Sequence, residues 1–214
     1  MRAAWYERTG GARYVLVVGE MPAVEPGHGE VRVALKASGV NPSDVKARAG
    51  SRPMLASRII PQSDGAGVID KVGSGVPADR IGSRVWVWNG QWKRPFGTCA
   101  QFITLPAAQA VAMPEPLTFE EAACLGIPAL TAYRALASDG GVLGKIVLIA
   151  GGAGAVGHYA VQMAKLMGAA KVITTVSTPA KAAHAQAVGV DEIINYKTEN
   201  VAERNSATRS ENET

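Results

Sequence analysis

The chain has 214 residues, 47% of them hydrophobic and 19% charged, with 24 Gly and 12 Pro. Disorder is excluded, because so apolar a chain buries enough surface to offset its ordering entropy, and the unperiodic Gly and Pro exclude collagen-like and low-complexity classes. The net charge of +4 comes from dispersed residues with no Lys/Arg tract, which argues against a nucleic-acid partner and is compatible with an anionic small ligand.

No uninterrupted apolar run approaches the roughly 18 residues of a membrane span. The N-terminus, MRAAWYERTG, has no apolar h-region. Two cysteines, Cys99 and Cys124, are too few for a disulfide framework. The expectation is a soluble cytoplasmic protein with no membrane partner.

Residues 1–117 read as β-rich. Val31, Val33 and Leu35 alternate with polar or small residues, the period of a half-buried strand. Similar runs occur at Tyr14–Val18, Val68–Val72, Val85–Trp88 and Gln101–Leu105, separated by turn signals such as Pro26-Gly27, Gly73-Ser74-Gly75 and Asn89-Gly90. One helix is expected over 42–49, with Asn41 as its cap and Pro42 in its first turn. Many short strands with frequent turns suggest an antiparallel, barrel-like domain. Trp86, Trp88 and Trp92 surround a turn and suit barrel packing, or stacking on a flat ring.

From Thr118 the character changes. A Thr118-x-x-Glu121 capping box opens a helical stretch that Pro128 should break or kink. A βαβαβ rhythm follows: strand Lys145–Ala150, helix Gly154–Met167, strand Lys171–Val176, helix Thr178–Val188 and strand Glu192–Asn195. Strands this apolar are expected to be buried on both faces of a parallel sheet. Residues 205–214, NSATRSENET, carry nothing apolar larger than Ala and read as a polar disordered tail. The α/β domain, 118–204, would then hold about three strands, where a dinucleotide-binding sheet normally has about six.

Strand Lys145–Ala150 runs directly into Gly151-Gly152-Ala153-Gly154-Ala155-Val156-Gly157 and a helix, so Gly152, Gly154 and Gly157 satisfy G-x-G-x-x-G in its required context. Gly152 permits the turn, Gly154 lets backbone approach a pyrophosphate, and Gly157 lets the helix pack on the strand. The helix N-terminus offers unpaired N–H groups to the phosphates. An NAD site usually places an acid about 20 residues on. Here Ser177 lies in that place and Lys171–Ala183 holds no acid, while Ser177 and Lys181 offer a hydroxyl and a cation to a 2′-phosphate. This favours NADP over NAD. The structural alternative is a helix-capping Ser177 and a solvated Lys181.

No metal site is expected, since His28, His158 and His184 lack ligand spacing and the cysteines form no C-x-x-C. Cys124 reads as a small buried apolar residue, and His158 as a packing or solvated one.

Together these residues resemble the medium-chain dehydrogenase/reductase superfamily, and within it the zinc-free quinone oxidoreductase (zeta-crystallin-like) branch. The likeness rests on Asn41-Pro42-Ser43-Asp44, Gln62-Ser63-Asp64-Gly65-Ala66-Gly67, the glycine loop, Gly126–Tyr133 and Ile194-Asn195-Tyr196. Ser63 stands where zinc-dependent relatives carry a His ligand, and Lys46 where several members carry Tyr. The resemblance implies a GroES-like barrel domain followed by a partial Rossmann domain with a doubly wound parallel sheet. It places Asn41 and Asp44 in the catalytic site, with Asn41 and Thr131 near the nicotinamide. Ala155 and Val156 would face the pyrophosphate, and Ser177, Lys181 and Tyr196 the 2′-phosphate. It further implies NADPH-dependent hydride transfer to a quinone or α,β-unsaturated carbonyl, and a homodimer. The likeness is expected to end at Arg204, as in a truncated, spliced or frameshifted chain. The rival reading is therefore an inactive fragment that binds nucleotide weakly or needs a partner to fold. RNA binding, known for some relatives, has no support here beyond mild basicity.

Overall fold

A computed structural model describes residues 1–204. The expected tail, 205–214, lies outside the described residues. The chain divides into two units, one ending at Ile127 and the other beginning at Pro128.

In the first unit, β1 (Arg2–Trp5) pairs antiparallel with β2 (Val17–Glu20), joined through a single helical turn, α1 (Ala12–Val15). The strand expected over Tyr14–Val18 is thus half helix. Only Val15 of this run is buried, against Tyr6 and Ile59, while Tyr14, Val17 and Val18 are exposed, so the run has no buried face for an alternating pattern to serve.

Five further strands form one antiparallel sheet: β3 (Glu30–Gly39), β4 (Asp64–Val72), β5 (Arg84–Val87), β6 (Phe102–Pro106) and β7 (Ala110–Ala112), in the order β6-β3-β4-β5-β7. The four expected strands are found with shifted ends, and β1 and β7 are additional. Val31, Val33, Ile69, Val85, Ile103 and Leu105 form one core cluster in this unit. Arg32 is buried as well. Its guanidinium bonds Asp70 and Glu25 and lies 4.7 Å from the centre of the Phe102 ring. The tryptophans divide: Trp86 packs beside Ala66 and Met113, whereas Trp92 is exposed.

As expected, Asn41 precedes α2 (Pro42–Lys46), which continues into a wider turn, Ala47–Ser51, where Gly50 takes φ 105°. The Thr118–Glu121 capping box opens α3 (Phe119–Ala122), and α4 spans Gly126–Ala137. The break falls at 123–125, before Pro128, which sits in the first turn of α4, where a missing N–H costs nothing. Cys124 lies in that break and is exposed, which corrects the buried placement expected of it. The boundary between units falls beyond Thr118 because α3 packs with Ala66, Met113 and Trp86 of the first unit.

The second unit holds a parallel sheet, β8 (Ile146–Ile149), β9 (Lys171–Val176) and β10 (Glu192–Asn195), in the order β10-β9-β8. Helix α5 (Ala155–Leu166) follows β8, and α6 (Pro179–Gln186) follows β9. Buried Val161 and Ala164 of α5 and Ala185 of α6 share a cluster with Val172 and Val176. β9, the central strand, is buried from Val172 to Val176. β8 pairs with β9 alone among the described residues, and its Leu148 is 41% exposed. The expectation of burial on both faces therefore holds for β9 and fails for β8, an outer strand.

Candidate functional site

The glycine loop joins β8 to α5, and its geometry separates the three glycines. A Cβ on Gly152 would lie 2.2 Å from Thr174 Oγ1, and one on Gly157 would lie 2.2 Å from the Gly151 carbonyl oxygen. Both positions exclude any side chain. At Gly154 the nearest atom to such a Cβ is Gly151 O at 3.2 Å, so internal packing does not demand glycine there. Gly154 instead borders a cleft of about 160 Å³ and is the residue before the first turn of α5. The first amide bonded back into the helix start is His158, to Gly154 O at 2.8 Å. Ahead of it, the N–H groups of Ala155, Val156 and Gly157 precede the intrahelical ladder, as helix geometry requires.

The loop is held from beneath by β9. Thr174 Oγ1 accepts the Gly152 N–H at 2.8 Å and donates to Ile149 O at 2.7 Å, and Thr175 Oγ1 accepts the Gly151 N–H at 3.0 Å. These two threonines were not among the expected site residues. The signal was present: adjacent hydroxyls in an otherwise apolar central strand must find partners, because burying them unbonded is costly.

Ser177, Lys181 and Tyr196 border the same cleft as Gly151 and Gly154. Lys181 Nζ lies 3.2 Å from Ser177 Oγ, to which it donates. Thr178, not Ser177, caps α6, its hydroxyl accepting the Lys181 N–H at 3.3 Å. The capping alternative for Ser177 is thereby removed. The cleft lining contains no acid. Free helix N–H groups, a hydroxyl and a cation together suit a phosphate-bearing ligand. His158 stacks on His184 with ring centres 4.3 Å apart, and burial together with His184 holds its pKa below the ordinary value.

A second set of polar residues lies in the first unit. Asn41 and Asp44 are buried, and Asp44 Oδ2 accepts the Asn41 backbone N–H at 2.7 Å. Asn41 Nδ2 donates to Asp64 Oδ2 at 2.7 Å, and the Ile127 N–H donates to the same oxygen at 2.8 Å. Asp64 was read only as part of a segment, yet it is 1% exposed and central to this set. Burial pushes its carboxyl up to about 6, and burial also raises that of Asp44. Gln62 precedes this pair in a left-handed conformation, φ 77°, with Ser38 Oγ donating to its Oε1. Ser38 also lies 2.7 Å from Thr98 Oγ1, which donates to Asp64 O. Ser63 is buried, and no group of three or more His, Cys, Asp or Glu that could hold a metal occurs among the described residues. Thr131 is exposed on α4.

The sites thus fall into two sets, one in each unit. The first unit matches the alcohol dehydrogenase GroES-like domain over residues 27–115, and residues 155–211 match the zinc-binding dehydrogenase family. The second match passes Arg204, so the likeness runs further than the residues that suggested it. A quinone oxidoreductase of Pseudomonas aeruginosa is 35% identical over 195 residues, covering 91% of this chain and 58% of that protein. The 2-methylene-furan-3-one reductase of Solanum lycopersicum is 35% identical over 180 residues, covering 80% of this chain and 46% of its own length. Among solved structures, Escherichia coli quinone oxidoreductase complexed with NADPH superposes with a TM-score of 0.82 at 31% identity, covering 95% of this chain and 61% of that one. This chain therefore spans less than two thirds of each of these relatives. Two domain matches in the expected order, together with these relatives, show that the chain belongs to the medium-chain dehydrogenase/reductase superfamily, among its quinone oxidoreductase-like members.

Proposed function

We propose that the protein is an NADPH-dependent oxidoreductase acting on a quinone or an α,β-unsaturated carbonyl. The observation that carries this reading is the cleft in the second unit, where Gly154, Ser177 and Lys181 meet without an acid. The relatives agree with it: two are quinone oxidoreductases, one of them solved with NADPH, and the third is named for reducing a conjugated furanone.

In this reading the helix N–H groups of Ala155 and Val156 bind the pyrophosphate, with Gly152 and Gly157 fixing the loop's path. Ser177, Lys181 and Tyr196 hold the 2′-phosphate, and an acid on the adjacent ribose would repel it. Thr131 and Asn41 meet the nicotinamide, and Asp44 acts through Asn41 by fixing its backbone. The nicotinamide, when bound, supplies the hydride. The chain's own contribution is orientation and exclusion of water, because none of the site side chains is compelled to serve as a general acid. Conjugated acceptors fit this reading, in which orientation of the hydride donor and acceptor carries the reaction. A homodimer, implied by the resemblance, belongs to the same proposal and is checked by sedimentation.

The exposed apolar residues of the second unit favour a second reading, a nucleotide-binding chain without turnover. Leu143 and Leu166 are largely exposed, as is part of the outer strand β8. One titration separates the two. NADPH and NADH are added to the purified chain while fluorescence and melting temperature are followed, and quinone turnover is then assayed. Saturable binding that prefers NADPH, with turnover, supports the enzyme. Binding without turnover supports the second reading, and equal binding of NADH and NADPH overturns the cofactor assignment.

A further inference from the structure

Asn41 is held at both ends. Asp44 takes its backbone N–H, and Asp64 takes its side-chain N–H. Asp64 Oδ2 receives two donors, Asn41 Nδ2 and the Ile127 amide that opens α4, while its Oδ1 is buried with no hydrogen-bond partner among the described residues. Glycine at 126 is what lets the chain approach this oxygen: a Cβ there would lie 2.1 Å from Asp64 Oδ1. A buried carboxylate with one oxygen doubly bonded and the other bare is an expensive arrangement to keep for packing alone.

The two ends of a carboxamide look alike in shape, so its orientation is decided by its partners. The reversed orientation of Asn41 would set its carbonyl oxygen 2.7 Å from a carboxylate oxygen with no proton between them. We infer that Asp64 is a positioning residue: it fixes the flip of the Asn41 carboxamide so that the amide nitrogen is held toward the carboxylate and the carbonyl oxygen is left to accept, with one lone pair toward the Asp44 backbone N–H of the capping box and the other for a bound ligand. If Asn41 meets the nicotinamide, as proposed above, that acceptor matches the N–H groups of the nicotinamide carboxamide. The Asn41 side chain also bonds the Asp44 carboxylate, so both carboxylates hold the amide nitrogen on their side.

Two buried carboxyls near Asn41, Asp64 and Asp44, are both raised by burial, and Asp44→Asn separates them. Asp44 on α2 is the charged neighbour and raises the Asp64 pKa further, beyond the effect of burial. Thr98, which reaches its backbone, and Gly39 and Gly126, which pack against its side chain, are neutral. Because Oδ2 carries both donors, a proton would be accepted on Oδ1, leaving the Asn41 contact in place but weaker.

The test uses the full chain and needs no turnover. With asparagine side chains labelled with 15N, the Asn41 Nδ2 signal is followed from pH 4 to pH 8. An inflection near the Asp64 pKa of about 6 is expected in the wild type. It should vanish in Asp64→Asn, persist in Asp44→Asn and return at a shifted pH in Asp64→Glu. A wild-type Asn41 signal that does not inflect, or an inflection that survives Asp64→Asn or is lost in Asp44→Asn, overturns the assignment, and if Asp64→Asn fails to fold the Asp44→Asn and Asp64→Glu titrations decide. Adding NADPH then reads the functional half. Asp64→Asn is expected to weaken NADPH about tenfold through the lost charge-assisted bond. A wild type that inflects but binds no NADPH would sink the cofactor reading while leaving the Asn41–Asp64 coupling supported.

Discussion

Thr174→Val is the sharpest probe of how the glycine loop is held. The substitution keeps the shape of the side chain and deletes one hydroxyl in a fully buried position. That hydroxyl serves two backbone groups, the Gly152 N–H and the Ile149 carbonyl. Leaving a buried polar group without a partner costs about 1–3 kcal/mol, so the pair should cost about 2–4 kcal/mol. Thr175→Val releases one amide, that of Gly151, at a position slightly open to solvent, and should cost about 1 kcal/mol. The two variants differ by one residue and delete the same chemical group, so their ratio isolates the count of bonds lost. Urea unfolding should show the midpoint falling for Thr174→Val at an unchanged slope, with a melting temperature lower by on the order of 10 °C. Thr174→Ser, which keeps both bonds, should recover most of the loss. A Thr175→Val cost equal to or larger than that of Thr174→Val would refute the account of the loop as anchored through β9.

Three further outcomes are expected. Lys181→Ala should weaken NADPH about tenfold and NADH less than twofold, with the difference shrinking as salt screens this exposed cation; equal losses for both cofactors in isothermal titration would remove Lys181 from the phosphate site. Gly154→Ala should change stability by under about 1 kcal/mol yet reduce NADPH affinity, while Gly152→Ala should destabilise by about 1–3 kcal/mol by forcing a Cβ onto Thr174, so an unstable Gly154→Ala would contradict the assignment of that glycine to the cleft. Because the folded Asp64 pKa is raised from 3.8 to about 6, its ionisation opposes folding: that contribution is absent at low pH and removes about 3 kcal/mol of stability as pH rises from 4 to 6. The difference in unfolding free energy between the wild type and Asp64→Asn should follow that slope, and a difference that does not change with pH would refute it.

The glycine loop was legible because its demands are local. Gly152 and Gly157 are excluded from carrying side chains by atoms within or directly beneath the loop, and the spacing of the motif records that sterically. The boundaries of β9 and β10 were legible for a similar reason, as short apolar runs between turn signals. Tyr14–Val18 misled because its β-branched composition favours a strand wherever it is placed, and only the burial of Val15 against Tyr6 and Ile59 reveals the turn of helix. Asp64 was hidden because its partners lie 23 and 63 residues away, at Asn41 and Ile127, and nothing in its own neighbourhood announces them. Cys124 was misplaced because its exposure follows from where a helix breaks, and the break came earlier than Pro128 suggested.

If another chain covers the side of β8 that has no partner among the described residues, protein concentration becomes a thermodynamic variable. A strand bonded on one side among the described residues, with its own Leu148 part-exposed, offers a surface whose covering by another chain is a second-order event. Stability then gains a term that grows with the logarithm of chain concentration, so melting curves and cofactor titrations taken at micromolar and at millimolar chain report different equilibria. A dilution series is therefore part of the binding experiment itself: affinities that stay constant across it belong to the single chain, and those that drift carry the association within them.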